Sequence, residues 1–200
     1  MINLKRKNNK RSGFTLVETL VALFIFSISI LTVMAVLSQG ISSTDYAKNK
    51  IIAESLSQEG VEYFRNMRDT FMLYTDDPPG AWVAFRTYLI SNTADCENGC
   101  YFDNNIEGMV NNLNQPMKGL AIYSCYGYSY HKCPNFYYHP STGKYDHSSS
   151  GGTLTPFSRK ITIERIGSPE SVSVKSEVTW SSGSKNFSVS VLEHLANWIE

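Results

Sequence analysis

From Leu20 to Leu37 the chain reads LVALFIFSISILTVMAVL, eighteen residues without a charge, and this run limits the possible folds more than any other feature. Coiled as a helix at 1.5 Å per residue it is about 27 Å long, close to the ~30 Å hydrocarbon thickness of a bilayer. Lys5, Arg6, Lys7, Lys10 and Arg11 crowd into the segment just before it. The positive-inside rule keeps such a cluster cytoplasmic, which places everything after Leu37 outside the cytoplasm. The expected location is therefore a single-pass cytoplasmic (inner) membrane precursor with an extracytoplasmic carboxy-terminal part. An ordinary secretory signal fits poorly, because the run exceeds the usual 7 to 15 residues or so and Ser38-Gln39-Gly40 is a weak cleavage site.

The 200 residues, 42% of them hydrophobic, suffice for one globular domain and an appendage. Acidic and basic side chains balance at 18 each over the whole chain, but beyond residue 13 they number 13 basic against 18 acidic. That deficit gives no general electrostatic reason to bind nucleic acid, and no nucleic-acid partner is expected.

Glu18 interrupts the head of the apolar segment, where a lipid-facing charge costs roughly 2.5 to 3.5 kcal/mol at the bilayer centre and less near the interface. Such a residue calls for a partner. The stretch Gly13-Phe14-Thr15-Leu16-Val17-Glu18-Thr19-Leu20, behind a short basic leader and ahead of an apolar helix, closely resembles the processing site of type IV pilins, minor pilins and the pseudopilins of type II secretion. The resemblance implies that a prepilin peptidase cuts between Gly13 and Phe14 and that the new amino terminus, Phe14, is N-methylated. A glycine suits the scissile position because it lets a protease approach the backbone closely. Glu18 matches the family's acidic residue, whose carboxylate pairs with the terminal ammonium of a neighbouring subunit during assembly.

Beyond the membrane run, Gly40 and Ser42-Ser43 loosen the pattern. Ile52, Leu56, Tyr63, Met67, Phe71 and Tyr74 then recur at helical intervals as one apolar stripe. Glu62 and Arg65 are spaced for a surface pair. Asp76-Asp77-Pro78-Pro79-Gly80 cannot continue a helix, and Trp82, Phe85, Arg86 and Leu89 suggest a short second one. Leu120 to Ser124 and Asn135 to His139 are strand candidates joined through a tyrosine-rich link. Phe157 to Ile166, Ser171 to Trp180 and Lys185 to Leu195 alternate like strands, and the short turns between them imply an antiparallel meander.

The expected organisation is a cleaved leader (1–13), a transmembrane or filament-core helix (14–37), an amphipathic helical half (38–76) and a globular domain (77–200). That domain would have a loop-rich middle (91–119) and a carboxy-terminal meander (157–195). The fold class is α+β, a long amino-terminal helix packed on a carboxy-terminal antiparallel sheet, which is similar to the pilin architecture. The closing run with Val191, Leu192, Leu195 and Trp198 resembles the minor-pilin group often called PilV-like.

Cys96, Cys100, Cys125 and Cys133 all lie beyond the membrane run, where an oxidising compartment permits disulfides. Four cysteines allow three connectivities. Cys96 with Cys100 and Cys125 with Cys133 are favoured, because each pair closes a small local loop. A four-cysteine zinc site suits the first spacing but not the second, which has seven intervening residues. Asp103 to Gly108 begins like a calcium loop, but the twelfth position is Asn114 where a bidentate glutamate is needed. Gly127-Tyr128-Ser129-Tyr130-His131 lacks the second glycine of a hydrolase elbow. His131, His139, His147 and His194 show no metal spacing. No catalytic residue, metal or cofactor is expected.

The function expected from the resemblance is structural: a subunit, specifically a minor pilin, of a type IV pilus-like filament on the cell surface. A pseudopilin of type II secretion, a competence-pilus subunit, a membrane-anchored adhesin or binding module and an anchored hydrolase are the competing readings. The implied partners are other pilin subunits, the prepilin peptidase, an inner-membrane assembly platform with its cytoplasmic ATPase, and membrane lipid before assembly.

Overall fold

The structure, a computed structural model, describes residues 13–73, 78–91, 96–102, 122–125, 133–165 and 171–197. The chain divides into two compact units, Met1–Tyr46 and Ala47–Glu200. Helix α1, Leu16–Leu73, runs through the division without a break. Gly40 and Ser42-Ser43 therefore do not interrupt it, although the sequence pattern loosens there.

In the first unit every described side chain is exposed, and the helix there is long and apolar enough to cross a membrane. The three hydroxyls of the apolar run are satisfied locally. Ser27 donates to the Leu23 carbonyl at 2.8 Å, Ser29 to Ile25 at 2.8 Å, and Thr32 to Ser29 at 2.8 Å. Back-bonding of this kind lets Ser and Thr face an apolar solvent without an unpaired donor.

The second unit is an antiparallel sheet of seven strands with helical segments packed against it. Its strands are β1 (Cys100–Phe102), β2 (Ile122–Ser124), β3 (Asn135–His139), β4 (Lys144–Asp146), β5 (Thr153–Arg165), β6 (Ser171–Ser182) and β7 (Lys185–Ala196). The hub is β5. One of its edges is shared by β3 and β1 while β6 takes the other. The last three strands are the expected meander, closed between β6 and β7 by Gly183, whose φ of +60° suits the first position of a two-residue hairpin turn. β1 falls within the segment expected to be loop-rich, and β4 was not expected. Of the candidates, Ile122–Ser124 within 120–124 and all of 135–139 are strands, and they pair with β1 and with β4 and β5 respectively.

From Ala53 onward α1 buries one face against the sheet. Phe64, Met67 and Phe71 follow helical spacing, and with Tyr63 they line a core shared with β1, β5, β6 and helix α2 (Pro78–Ser91), while Leu56 packs with Phe136 and Trp180. Ile52 is only half-buried at the edge of a second cluster around Phe136, Phe157, Val178 and Trp180. Tyr74 and Trp198 lie outside the described residues. Prolines open α2, where a missing N–H breaks no helical bond, so the Pro78-Pro79 signal that bars continuation of α1 also starts the next helix.

Helix and sheet approach closely at Gly60. A Cβ built there would lie 2.3 Å from Ser176 Oγ and 3.0 Å from Ile161 Cδ1. The Ser57 hydroxyl donates to the Ser176 carbonyl at 2.7 Å, a buried tie between α1 and β6. A second tie runs from Arg65, which grips both Glu193 carboxylate oxygens on β7 and also contacts Glu62.

Candidate functional site at the amino terminus

Gly13, Phe14 and Thr15 precede α1 in non-helical conformation. The Glu18 backbone N–H donates to Thr15 Oγ1 at 3.3 Å, and the Thr19 N–H donates to the Thr15 carbonyl at 3.2 Å, so Thr15 is the N-cap. Thr15-Leu16-Val17-Glu18 has the spacing of a capping box, with Glu18 third in the helix. Its carboxylate thus stands in the first turn, where the partial positive charge of the helix start favours an anion. This local role was missed in the sequence reading, although Ser or Thr followed three residues later by Glu ahead of an apolar run is its signal.

Among the described residues, no contact demands glycine at position 13. A Cβ added there would meet no heavy atom within 4 Å, and its φ is not in the left-handed region. Phe14 is 80% exposed, as large an apolar side chain as any that faces solvent here. Neither residue is packed against another described part of the chain.

The four cysteines are joined as Cys96–Cys100 and Cys125–Cys133, with Cα separations of 4.7 and 4.8 Å. All are buried. The Cys96 carbonyl accepts the Ile163 N–H at 2.9 Å, and the Cys125 N–H donates to the Gly99 carbonyl at 2.9 Å, which anchors both bonds to the sheet. With all four sulfurs in disulfides, none is a thiolate available to zinc. Among the described residues, no three His, Cys, Asp or Glu side chains converge as a metal site. The 103–114 segment with its calcium-like spacing and the Gly127 to His131 segment lie outside the described residues. His139 pairs with Asp146 at 2.8 Å, His147 stacks on Phe136, and His194 sits on β7.

Sequence reasoning also missed Arg159, which is fully buried between α1 and the sheet. It donates to the Leu56 carbonyl at 3.0 Å and to Glu59 at 3.1 Å, with its guanidinium 4.1 Å from the Phe102 ring centre and 5.0 Å from that of Phe136. Burial pushes its pKa down to about 10, against the opposing pull of Glu59. The signal was its place in the alternation of β5, between Phe157 and Ile161.

A family model described as the prokaryotic N-terminal methylation motif matches residues 8–37. The match supports a prepilin-type leader of the kind found on type IV pilins and pseudopilins. Together with the apolar helix it supports a membrane-anchored precursor. No curated protein and no solved structure gives a match.

Proposed function

We propose that the chain is a minor pilin, a structural subunit of a type IV pilus-like filament. In this reading the prepilin peptidase removes residues 1–13, Phe14 becomes the methylated amino terminus, and assembly draws the subunit from the bilayer into a filament core. The observation that carries it is the methylation motif at 8–37, which takes in the end of the leader with Lys10 and Arg11, then Gly13, Phe14, Glu18 and the apolar run to Leu37. A glycine and an exposed phenylalanine that no packing requires suit recognition by an enzyme and by neighbouring subunits.

Before assembly the apolar side chains of the helix face lipid; in the filament they face other subunits, which replaces one apolar contact with another. The capped first turn holds Glu18 where its carboxylate can meet the terminal ammonium of a neighbour, an ion pair that offsets the cost of carrying a charge at the head of an apolar helix. The work of the molecule is assembly, not catalysis. Co-expression with a prepilin peptidase tests the first step: the wild-type chain should shorten to a form beginning at Phe14, and Gly13→Leu should stay full length. An uncut wild-type chain contradicts the reading.

A further inference from the structure

The sheet opens where β5 and β6 part. Ser158↔Thr179 is the pair nearest the β6 carboxy end between these strands; from there β6 continues to Ser182 beside β7, whereas β5 before Ser158 follows β3. Pro156 stands at the parting, where its missing N–H cannot extend a ladder. The gap is a cleft of about 390 Å³, within the range of about 300 to 1,000 Å³ typical of small-molecule sites.

The lining decides what the cleft can take. Seven of its ten residues are polar; none is Lys, Arg or His, and Glu177 is the one carboxylate. An anion would find no cation in the lining, since the nearby Lys175 is already paired with Glu177 at 3.7 Å; a divalent metal would find one carboxylate where several oxygens are needed, and an apolar ligand would strand the hydroxyls and amides. An added peptide strand has little to pair with, because β6 runs only from Trp180 to Ser182 past its last β5 partner and the facing edge of β5 before Ser158 is interrupted by Pro156, which has no N–H.

Hydroxyls and carboxamides that both donate and accept suit a ligand whose own groups do the same. Asn135, Ser158, Thr179 and Ser188 are successive register partners across β3, β5, β6 and β7, so they recur at roughly 4.7–4.9 Å, the inter-strand spacing. That interval is close to the length of one sugar ring. Two members of the row are held in place: Asn135 donates one amide N–H to the Thr155 carbonyl at 2.9 Å, and the buried Ser158 hydroxyl donates to the Cys133 carbonyl at 2.7 Å, which leaves Ser158 to a ligand only as an acceptor. Pro156 and Phe187 add apolar wall.

We propose that this cleft binds a neutral saccharide. The inference does not depend on how the amino terminus is processed. The test uses the full-length chain in a detergent without sugar headgroups, applied to an array of immobilised neutral hexose and N-acetylhexosamine chains alongside sialylated chains, sulfated chains and short peptides. Retention on neutral chains is expected, with a loss of roughly tenfold or more for Ser181→Ala combined with Asn186→Ala and no change for Leu154→Ala, an exposed residue outside the cleft. Circular dichroism checks that the variants fold, and the retained neutral oligosaccharide, added free, should slow amide exchange between residues 177 and 190 of the wild-type chain. No retention on neutral chains, retention confined to anionic chains or peptides, or unchanged binding by the folded double variant would overturn the proposal.

Discussion

The Arg159 guanidinium lies 4.1 Å from the centre of the Phe102 ring while donating to Glu59 across the helix–sheet boundary. A fully buried cation with one half-exposed carboxylate partner joins α1 to β1 and β5, and its desolvation opposes the fold. Its pKa is lowered to about 10 in the folded state, so from there up to the ordinary guanidinium range the unfolded chain binds the proton more tightly. Stability from this residue therefore rises with pH across that window and is lower beneath it. Arg159→Met is expected to match or exceed wild-type stability at pH 8, with the difference shifting in favour of wild type at pH 11. Glu59→Gln should cost about 2 kcal/mol at pH 8 by weakening a charge-assisted bond. Urea unfolding of the full chain in detergent at both pH values measures both effects.

Gly60→Ala tests the close approach of α1 to β6. The new methyl would fall 2.3 Å from Ser176 Oγ and 3.0 Å from its Cβ, and neither atom can swing far. A loss of roughly 1–3 kcal/mol is expected, as for other overpacked cores, despite the better helix propensity of alanine. Adding Ser176→Ala removes the nearest atom and should recover part of the loss. Full stability in Gly60→Ala alone would contradict the packing.

The disulfides clasp the ends of β1 and β2 but not the meander. Each closes a short loop, with sequence separations of 4 and 8, so its stabilisation should not exceed roughly 2–3 kcal/mol. Non-reducing peptide mapping should give Cys96–Cys100 and Cys125–Cys133 with no free thiol. Reduction should speed amide exchange at residues 100–102 and 122–125 while β6 and β7, joined by twelve register pairs, keep their protection. Equal loss of protection in all three regions would contradict this division.

Long periodic elements were legible in the sequence, and short or tertiary-defined ones were not. The 58-residue α1 and the strands β5 to β7 carry enough residues for period 3.6 or 2 to stand out. β1 and β4 have three residues each, too few for a period, and exist because β5 and β3 supply their partners. The Ile52 to Tyr74 stripe missed Phe64 and Gly60, which sit against β1 and β6 once the sheet is in place. Arg159 was passed over because a charge is normally read as a surface residue. The amino-terminal motif was legible because leader, glycine, aromatic and acid are contiguous, but the Thr15 cap became apparent only in the geometry.

Glu18→Ala separates processing from assembly. The variant keeps Gly13, Phe14 and the Thr15 cap, so removal of residues 1–13 should proceed as in the wild type. Without the carboxylate, its share in sheared filaments is expected to fall roughly tenfold or more, equivalent to about 1.4 kcal/mol of lost docking energy. Quantitative immunoblots of membrane and filament fractions measure both steps, and wild-type incorporation would remove the assembly role from Glu18.

Maturation at Gly13–Phe14 is read from the mass of the amino-terminal peptide. Protein purified from cells that produce filaments should yield a peptide that begins at Phe14 and carries one methyl group on its terminal nitrogen. A chain that retains residues 1–13, or one cut after the apolar run near Ser38-Gln39-Gly40, would contradict the account.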